Sequence, residues 1–130
     1  MTVEPPADWC GMKHAPREPR KPVVYIAGPY SAPDPIENVR KALLVADTLL
    51  LYNCAPLVPH LTAFWHLLSP KPYETWLEID RDLLAVCDAL YRMPGESSGA
   101  DREIEYAREL GIPVFTDGRK LVNFLNEWSA

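Results

Sequence analysis

The sequence predicts an α/β fold, and three observations carry that expectation. From Val23 onward, short β-branched or aromatic runs alternate with stretches of helical period; the runs end on Gly or Pro turn signals; and helical stretches open on capping residues. The first run, "VVYIA", stops at Gly28-Pro29 and reads as a buried strand closed by a sharp turn. Asp34-Pro35-Ile36-Glu37 supplies an N-cap, a proline at the first helical position and an acid in the first turn, so a helix is expected from about Pro35 to Tyr52. "APLVPH" is the second strand, confined to a sheet edge because Pro56 and Pro59 have no N–H to give to a central ladder. A short aromatic segment, "LTAFWHLL", leads into a helix over about Tyr73 to Cys87. "DALYRM" is the third strand, a helix over 98–110 follows, "IPVF" is the fourth strand, and "RKLVNFLNEW" closes the chain as a helix.

Strands alternating with helices in this way form a parallel sheet covered on both faces, joined by right-handed crossovers. The expected architecture is a flavodoxin-like (Rossmann-like) parallel sheet of about four to five strands flanked by helices, in the order 2-1-3-4. The chain reverses direction between strands one and three, and ligands of such sheets bind there, outside the carboxyl ends of the strands. Two loops are expected to meet at that point: Gly28, Pro29, Tyr30 and Ser31 after strand one, and Pro94 to Gly99 after strand three.

At 130 residues the chain holds one core, assigned to residues 22–130, preceded by a proline-rich irregular arm over 1–21 in which Trp9 is the exceptional apolar residue. The net charge of −5 excludes an electrostatic footprint for a nucleic-acid polymer and favours a small, specifically held ligand. Cys10, Cys54 and Cys87 lack CxxC spacing, and the last two stand in apolar surroundings, as core thiols of a reducing compartment do. No apolar run approaches the ~18 residues that span a bilayer, so membrane association is not expected and the cytoplasm is the expected location. His60 and His66 have no third ligand at recognisable spacing, and no metal site is expected.

Two acids fall where apolar side chains belong. In the 98–110 helix, with Ser98 as the expected N-cap and Asp101 completing a capping box, Ala100, Ile104, Ala107 and Gly111 form one stripe. Glu103 lies within about 50° of its centre and Glu105 about 150° away, so Glu103 faces the sheet beside the expected cleft while Glu105 is solvated. In the preceding helix, Tyr73, Trp76, Leu77, Leu84 and Cys87 make an apolar face with Asp80 in its middle, whereas Asp82 points outward. The plain alternative is that Glu103 answers the helix dipole or pairs with Arg102 or Arg92, and that Asp80 binds a backbone amide or Arg81. The sharper one is a pair of carboxylates converging on one cleft, the chemistry of glycosidic bond cleavage.

"VVYIAGPYS", "IDRDLLAVCDALYRMPG" and "SSGADREIEYARELGIPV" resemble the nucleoside 2-deoxyribosyltransferase superfamily, which includes nucleotide N-hydrolases, and more closely a branch of short proteins within it without an assigned activity. The resemblance covers about residues 23–116. It implies a catalytic glutamate at Glu103, four positions before Ala107; an aspartate at Asp80 with Asp88 as its second member; and a nucleophile-contacting tyrosine at Tyr25. Ser97 matches a phosphate-contacting serine, and Gly99 keeps the Ser-x-Gly spacing. Gly28, Pro29, Tyr30, Ser31, His60 and Gly95 complete the expected substrate-binding set. The chain departs from the family at Glu105, where a glycine is usual, and in "GPYS", which lacks the arginine that helps hold phosphate in some hydrolases. "HLTAFWHLLSPKPYETW" is unlike the transferases and is expected to shape the base pocket or a subunit contact.

The expected function is N-glycosidic bond cleavage or transfer on a nucleoside or nucleotide, without a cofactor. Phe64, Trp65, Tyr73 and Trp76 lie within thirteen residues, which together with the resemblance implies a homodimer or larger homo-oligomer. A non-catalytic nucleotide-binding sensor is the alternative, favoured if Glu103 pairs with an arginine and is shut off from the cleft. A flavodoxin-like redox module ranks below it, because "GPYS" lacks the Ser/Thr-rich run that holds a flavin phosphate.

Overall fold

The computed structural model describes residues 20–128; the expected arm, with Trp9 and Cys10, lies outside the described residues except for its last two positions. Four strands, β1 (Val23–Ala27), β2 (Ala55–Leu57), β3 (Ala89–Arg92) and β4 (Val114–Phe115), form one sheet in the order β2-β1-β3-β4. Every pairing is parallel, with Tyr25 opposite Leu57 on one side and Leu90 on the other. Five helices cover it: α1 (Pro35–Leu49), α2 (Thr62–Leu68), α3 (Tyr73–Ala85), α4 (Ser98–Glu109) and α5 (Gly118–Trp128). The flavodoxin-like expectation is met, including the proline-bearing β2 at an edge.

Alternation along β1 divides the core, since successive side chains of a strand leave opposite faces. Val24 and Ile26 pack with Ala42, Ala46, Leu121 and Leu125 under α1 and α5. Tyr25 and Ala27 pack with Leu84, Cys87, Ala100 and Ala107 under α3 and α4. Tyr25 is wholly buried and on the same side of the sheet as the helices that carry Asp80 and Glu103. This placement follows from strand parity alone.

Two expectations are corrected locally. The N-cap of α4 is Ser97, one residue before the expected Ser98: its backbone is extended, and its Oγ accepts from the Ala100 N–H at 3.1 Å. With the cap at Ser97, Asp101 does not close a capping box with Ser98; its Oδ1 accepts from Arg92 at 3.3 Å instead. The apolar face of α3 is buried only at its C-terminal end, at Leu84 and Cys87; Tyr73 is 58% exposed, and Tyr73, Trp76 and Leu77 open onto a cleft. Asp80 sits where that face passes from core to cleft.

Candidate active site

A cleft of about 710 Å³ lies at the carboxyl ends of β1 and β3, at the switch point of the sheet. Its walls include Gly28, Pro29, Tyr30 and Ser31 from the first loop, Ser97 and Gly99 from the second, and His60, Asp80 and Glu103. Tyr25 is not a wall residue but lies beneath, its hydroxyl coupled to Glu103 and then Asp80. Thus the three residues assigned to chemistry from sequence converge on one place.

The loop after β1 is held by groups that a reading of motifs overlooked. Asn38, buried on α1, donates from Nδ2 to the carbonyls of Tyr30 at 2.9 Å and Ala32 at 3.0 Å. A buried polar residue on an amphipathic helix is the signal that could have found it, since such a residue must hydrogen-bond. Arg92 holds the other loop. It donates to the Met93 carbonyl, to Gly95 O at 2.7 Å and to Asp101, and its side chain is 10% exposed. Arg92 is thus hydrogen-bonded to its own loop rather than ion-paired with Glu103, although its charge reaches that carboxyl, and Arg81 lies 4.6 Å over the Tyr106 ring. Among the described residues no ion pair engages either carboxylate, so the pairings offered by the plain alternative are not made.

Gly95 is placed differently from the expectation. It is not a wall of the cleft. At φ +115° its backbone adopts a conformation that side chains avoid, and an added Cβ would stand 2.8 Å from Pro29 Cγ. Gly95 brings the two loops into close approach. Gly95→Ala is expected to lower stability by about 1–3 kcal/mol, more than Gly111→Ala, where φ is +75° but nothing lies within 4 Å. Thermal melts of both variants side by side check this, and equal losses would mean that the contact with Pro29 is dispensable.

Asp88 is also outside the cleft. It opens β3 at the far end of the strand, where it accepts from the Val23 N–H at 2.8 Å and from both terminal nitrogens of Arg20. The Arg20 guanidinium, with the Val23 amide, holds its carboxyl below the usual carboxylate range. Asp88 ties the chain entering β1 to β3, and it is not a partner of Asp80.

The electrostatics of the floor are those of charges without partners. Tyr25 Oη, His60 Nδ1, Asp80 Oδ1 and Glu103 Oε2 are buried without a hydrogen-bond partner among the described residues. They are the described residues' whole set of such side-chain atoms; three belong to walls of this cleft, and the fourth, Tyr25 Oη, lies beneath it. Burial pushes the Glu103 carboxyl up to about 7; the Tyr25 hydroxyl pulls it down, Asp80 adds to the rise and Arg92 opposes it. Burial likewise pushes Asp80 up to about 6. Burial first, then Glu103, raises Tyr25 well above the ordinary phenol range, so it stays protonated and can only donate to a carboxylate. Tyr25 and Glu103 face each other closely enough to perturb one another without the geometry of a formed hydrogen bond.

The outer wall is the segment that departs from the transferases. Trp76 Nε1 donates to His66 Nδ1 at 2.8 Å, the Trp65 and Trp76 rings meet edge to face at 5.1 Å, and Lys71 Nζ lies 5.6 Å over Trp65. The segment closes one side of the cleft and leaves Phe64, Trp65, Leu67 and Leu68 exposed on the other. Among the described residues no three His, Cys, Asp or Glu side chains come together in a way that could hold a metal ion. No helix among them is long and apolar enough to cross a membrane.

Fold and site together define a parallel α/β protein with a two-carboxylate cleft at the switch point of its sheet. The chain belongs to the family described as a domain of unknown function, DUF7768, which matches residues 22–117. Among solved structures it is similar to a 2-desoxiribosyltransferase from Leishmania mexicana, with a TM-score of 0.57 and 23% sequence identity over 72% of this chain and 62% of that one. The chain thus spans less than two thirds of that enzyme's length, and the likeness carries the fold. No curated protein matches it.

Proposed function

We propose that this protein cleaves, or transfers, the N-glycosidic bond of a nucleoside or nucleotide. The observation that carries the reading is the gathering of all four buried, unpartnered side-chain polar atoms at one cleft. Each such atom costs about 1–3 kcal/mol when nothing satisfies it. Stored in one accessible cleft, that cost suits groups kept for a ligand rather than for the fold. The sensor reading is favoured where Glu103 pairs with an arginine and is shut off from the cleft; among the described residues no ion pair engages Glu103, and it lines the cleft.

In the proposed reaction the Glu103 carboxylate attacks C1′ as the bond to the base breaks, forming a glycosyl ester. Asp80 orients the sugar or passes a proton to the departing base, and Tyr25 beneath donates toward Glu103 and favours its ionised form. Water then releases free sugar, or a second base takes it up. In the empty cleft the proton rests on Glu103 before Asp80. Base release is therefore expected to climb as pH rises through about 7, as the attacking form appears. The fold likeness to a 2-desoxiribosyltransferase supports the substrate class, and the exposed apolar side chains of α2 support assembly into a homo-oligomer.

The test is chromatographic. Ribo- and deoxyribonucleosides and their 5′-monophosphates are incubated with the purified chain, with and without an acceptor base, and free or exchanged base is measured. Release on at least one substrate class is expected. Binding without release on every one would replace the enzyme with the sensor.

A further inference from the structure

His60 is the fourth member of the unpartnered set, and the mechanism makes no use of it. It follows β2 in a short turn, is 4% exposed and forms part of the cleft wall. Its Nε2 lies 3.1 Å from the carbonyl oxygen of Pro29. A carbonyl only accepts, so Nε2 must carry a proton. Burial disfavours the imidazolium, although the Pro29 and Gly28 backbone opposes that shift. A neutral ring with its proton on Nε2 has a bare lone pair on Nδ1, and Nδ1 is the atom left buried without a partner.

We propose that His60 is a specificity-determining hydrogen-bond acceptor, locked in one tautomer by Pro29, whose Nδ1 selects nucleosides offering a hydroxyl or amino donor over analogues lacking it. The inference rests on the nucleoside reading above and specifies what that ligand must present. A site built to accept a hydrogen bond rejects analogues without the donor far more strongly than an apolar pocket rejects a missing methylene. The Tyr30 ring meets the imidazole edge-on at 6.2 Å and is 42% exposed. It is the neighbour free to yield as the donor approaches. Of the donors a nucleoside carries, the proposal commits to two: the 3′-hydroxyl of the sugar and the exocyclic amine of cytosine or adenine.

The test compares dissociation constants for 2′-deoxycytidine, 2′-deoxyuridine and 2′,3′-dideoxycytidine, with 2′-deoxyadenosine, 2′-deoxyinosine and 2′,3′-dideoxyadenosine as the purine set. Titrations are run cold, with chromatography confirming intact probe. The wild type is expected to favour the donor-bearing member of one pair by about tenfold or more. Preference within the amino pairs assigns the donor to the base, and preference within the hydroxyl pairs assigns it to the sugar. His60→Gln can still donate to Pro29 from its terminal amide but lacks an acceptor at the Nδ1 position, and its preference should fall below about threefold. His60→Asn places an amide oxygen near the Nδ1 position and gives up the Pro29 contact, and it should retain most of the preference. Equal binding of all probes by the wild type, an undiminished preference in His60→Gln, or its loss in His60→Asn as well would each overturn the acceptor role. A wild type that binds no nucleoside overturns the nucleoside reading itself, which the base-release screen reports separately.

Discussion

Glu103→Gln is expected to lower base release by roughly a hundredfold or more, about 2.7 kcal/mol of transition-state stabilisation, while substrate binding survives. The amide preserves size and some hydrogen bonding but has neither the charge nor the electron pair that attacks C1′. Glu105→Gln, two residues along α4 on the solvated face, should leave the rate unchanged within about twofold, since no cleft wall includes it. Asp80→Asn should also lower release, by roughly a hundredfold or more where Asp80 passes the proton to the base and by less where it only orients the sugar. Rates measured per mole of folded protein decide the matter. Equal release by wild type, Glu103→Gln and Glu105→Gln would remove Glu103 from the chemistry.

Much of this site was legible in the sequence because its signals are periodic. Glu103 and Asp80 stand out only when helical angles are counted, and the structure puts both on the faces those angles specify. Tyr25 followed from the family resemblance, and strand parity in the folded sheet accounts for its side. What was illegible depended on tertiary competition. Nothing local distinguishes Ser97 from Ser98 as a cap; Ser97 takes the role by accepting from Ala100, and the Asp101 carboxyl goes to Arg92, nine residues earlier. Asp88 carries a motif position, yet its carboxyl is taken by Arg20, 68 residues earlier. The positive φ of Gly95 and the closeness of Pro29 to it were likewise invisible in the loop's sequence. Sequence spacing finds residues that share an element; it does not find which side chain from another element reaches them first.

The same Glu103→Gln variant should be more stable than the wild type at alkaline pH. An ordinary glutamate titrates near 4.5, and burial in the cleft lifts Glu103 to about 7. Between those values the unfolded chain has lost the proton and the folded chain keeps it. Folding therefore takes up a proton, and the contribution of Glu103 to stability falls as pH rises through that window. Above pH 7 the folded protein holds a charge poorly served by its surroundings, at a cost of about 3 kcal/mol before relaxation by entering water. The neutral amide escapes that cost. At pH 5 both side chains are neutral in the folded state and the unfolded glutamate is only partly ionised, so the two proteins should differ by no more than about 1 kcal/mol. At pH 8 the variant should be more stable by about 2 kcal/mol, several degrees in Tm for a chain of this size. Asp80, raised to about 6 by burial, adds a slope of the same sign. His60, whose pKa burial lowers, adds one of opposite sign, because the unfolded ring takes up a proton first as pH falls. Both residues are present in wild type and variant, so their own slopes largely cancel in the difference. Melting curves at pH 5, 6, 7 and 8 give the difference directly. A variant less stable than the wild type at pH 8 would identify Glu103 as a structural partner rather than a charge held in reserve for chemistry.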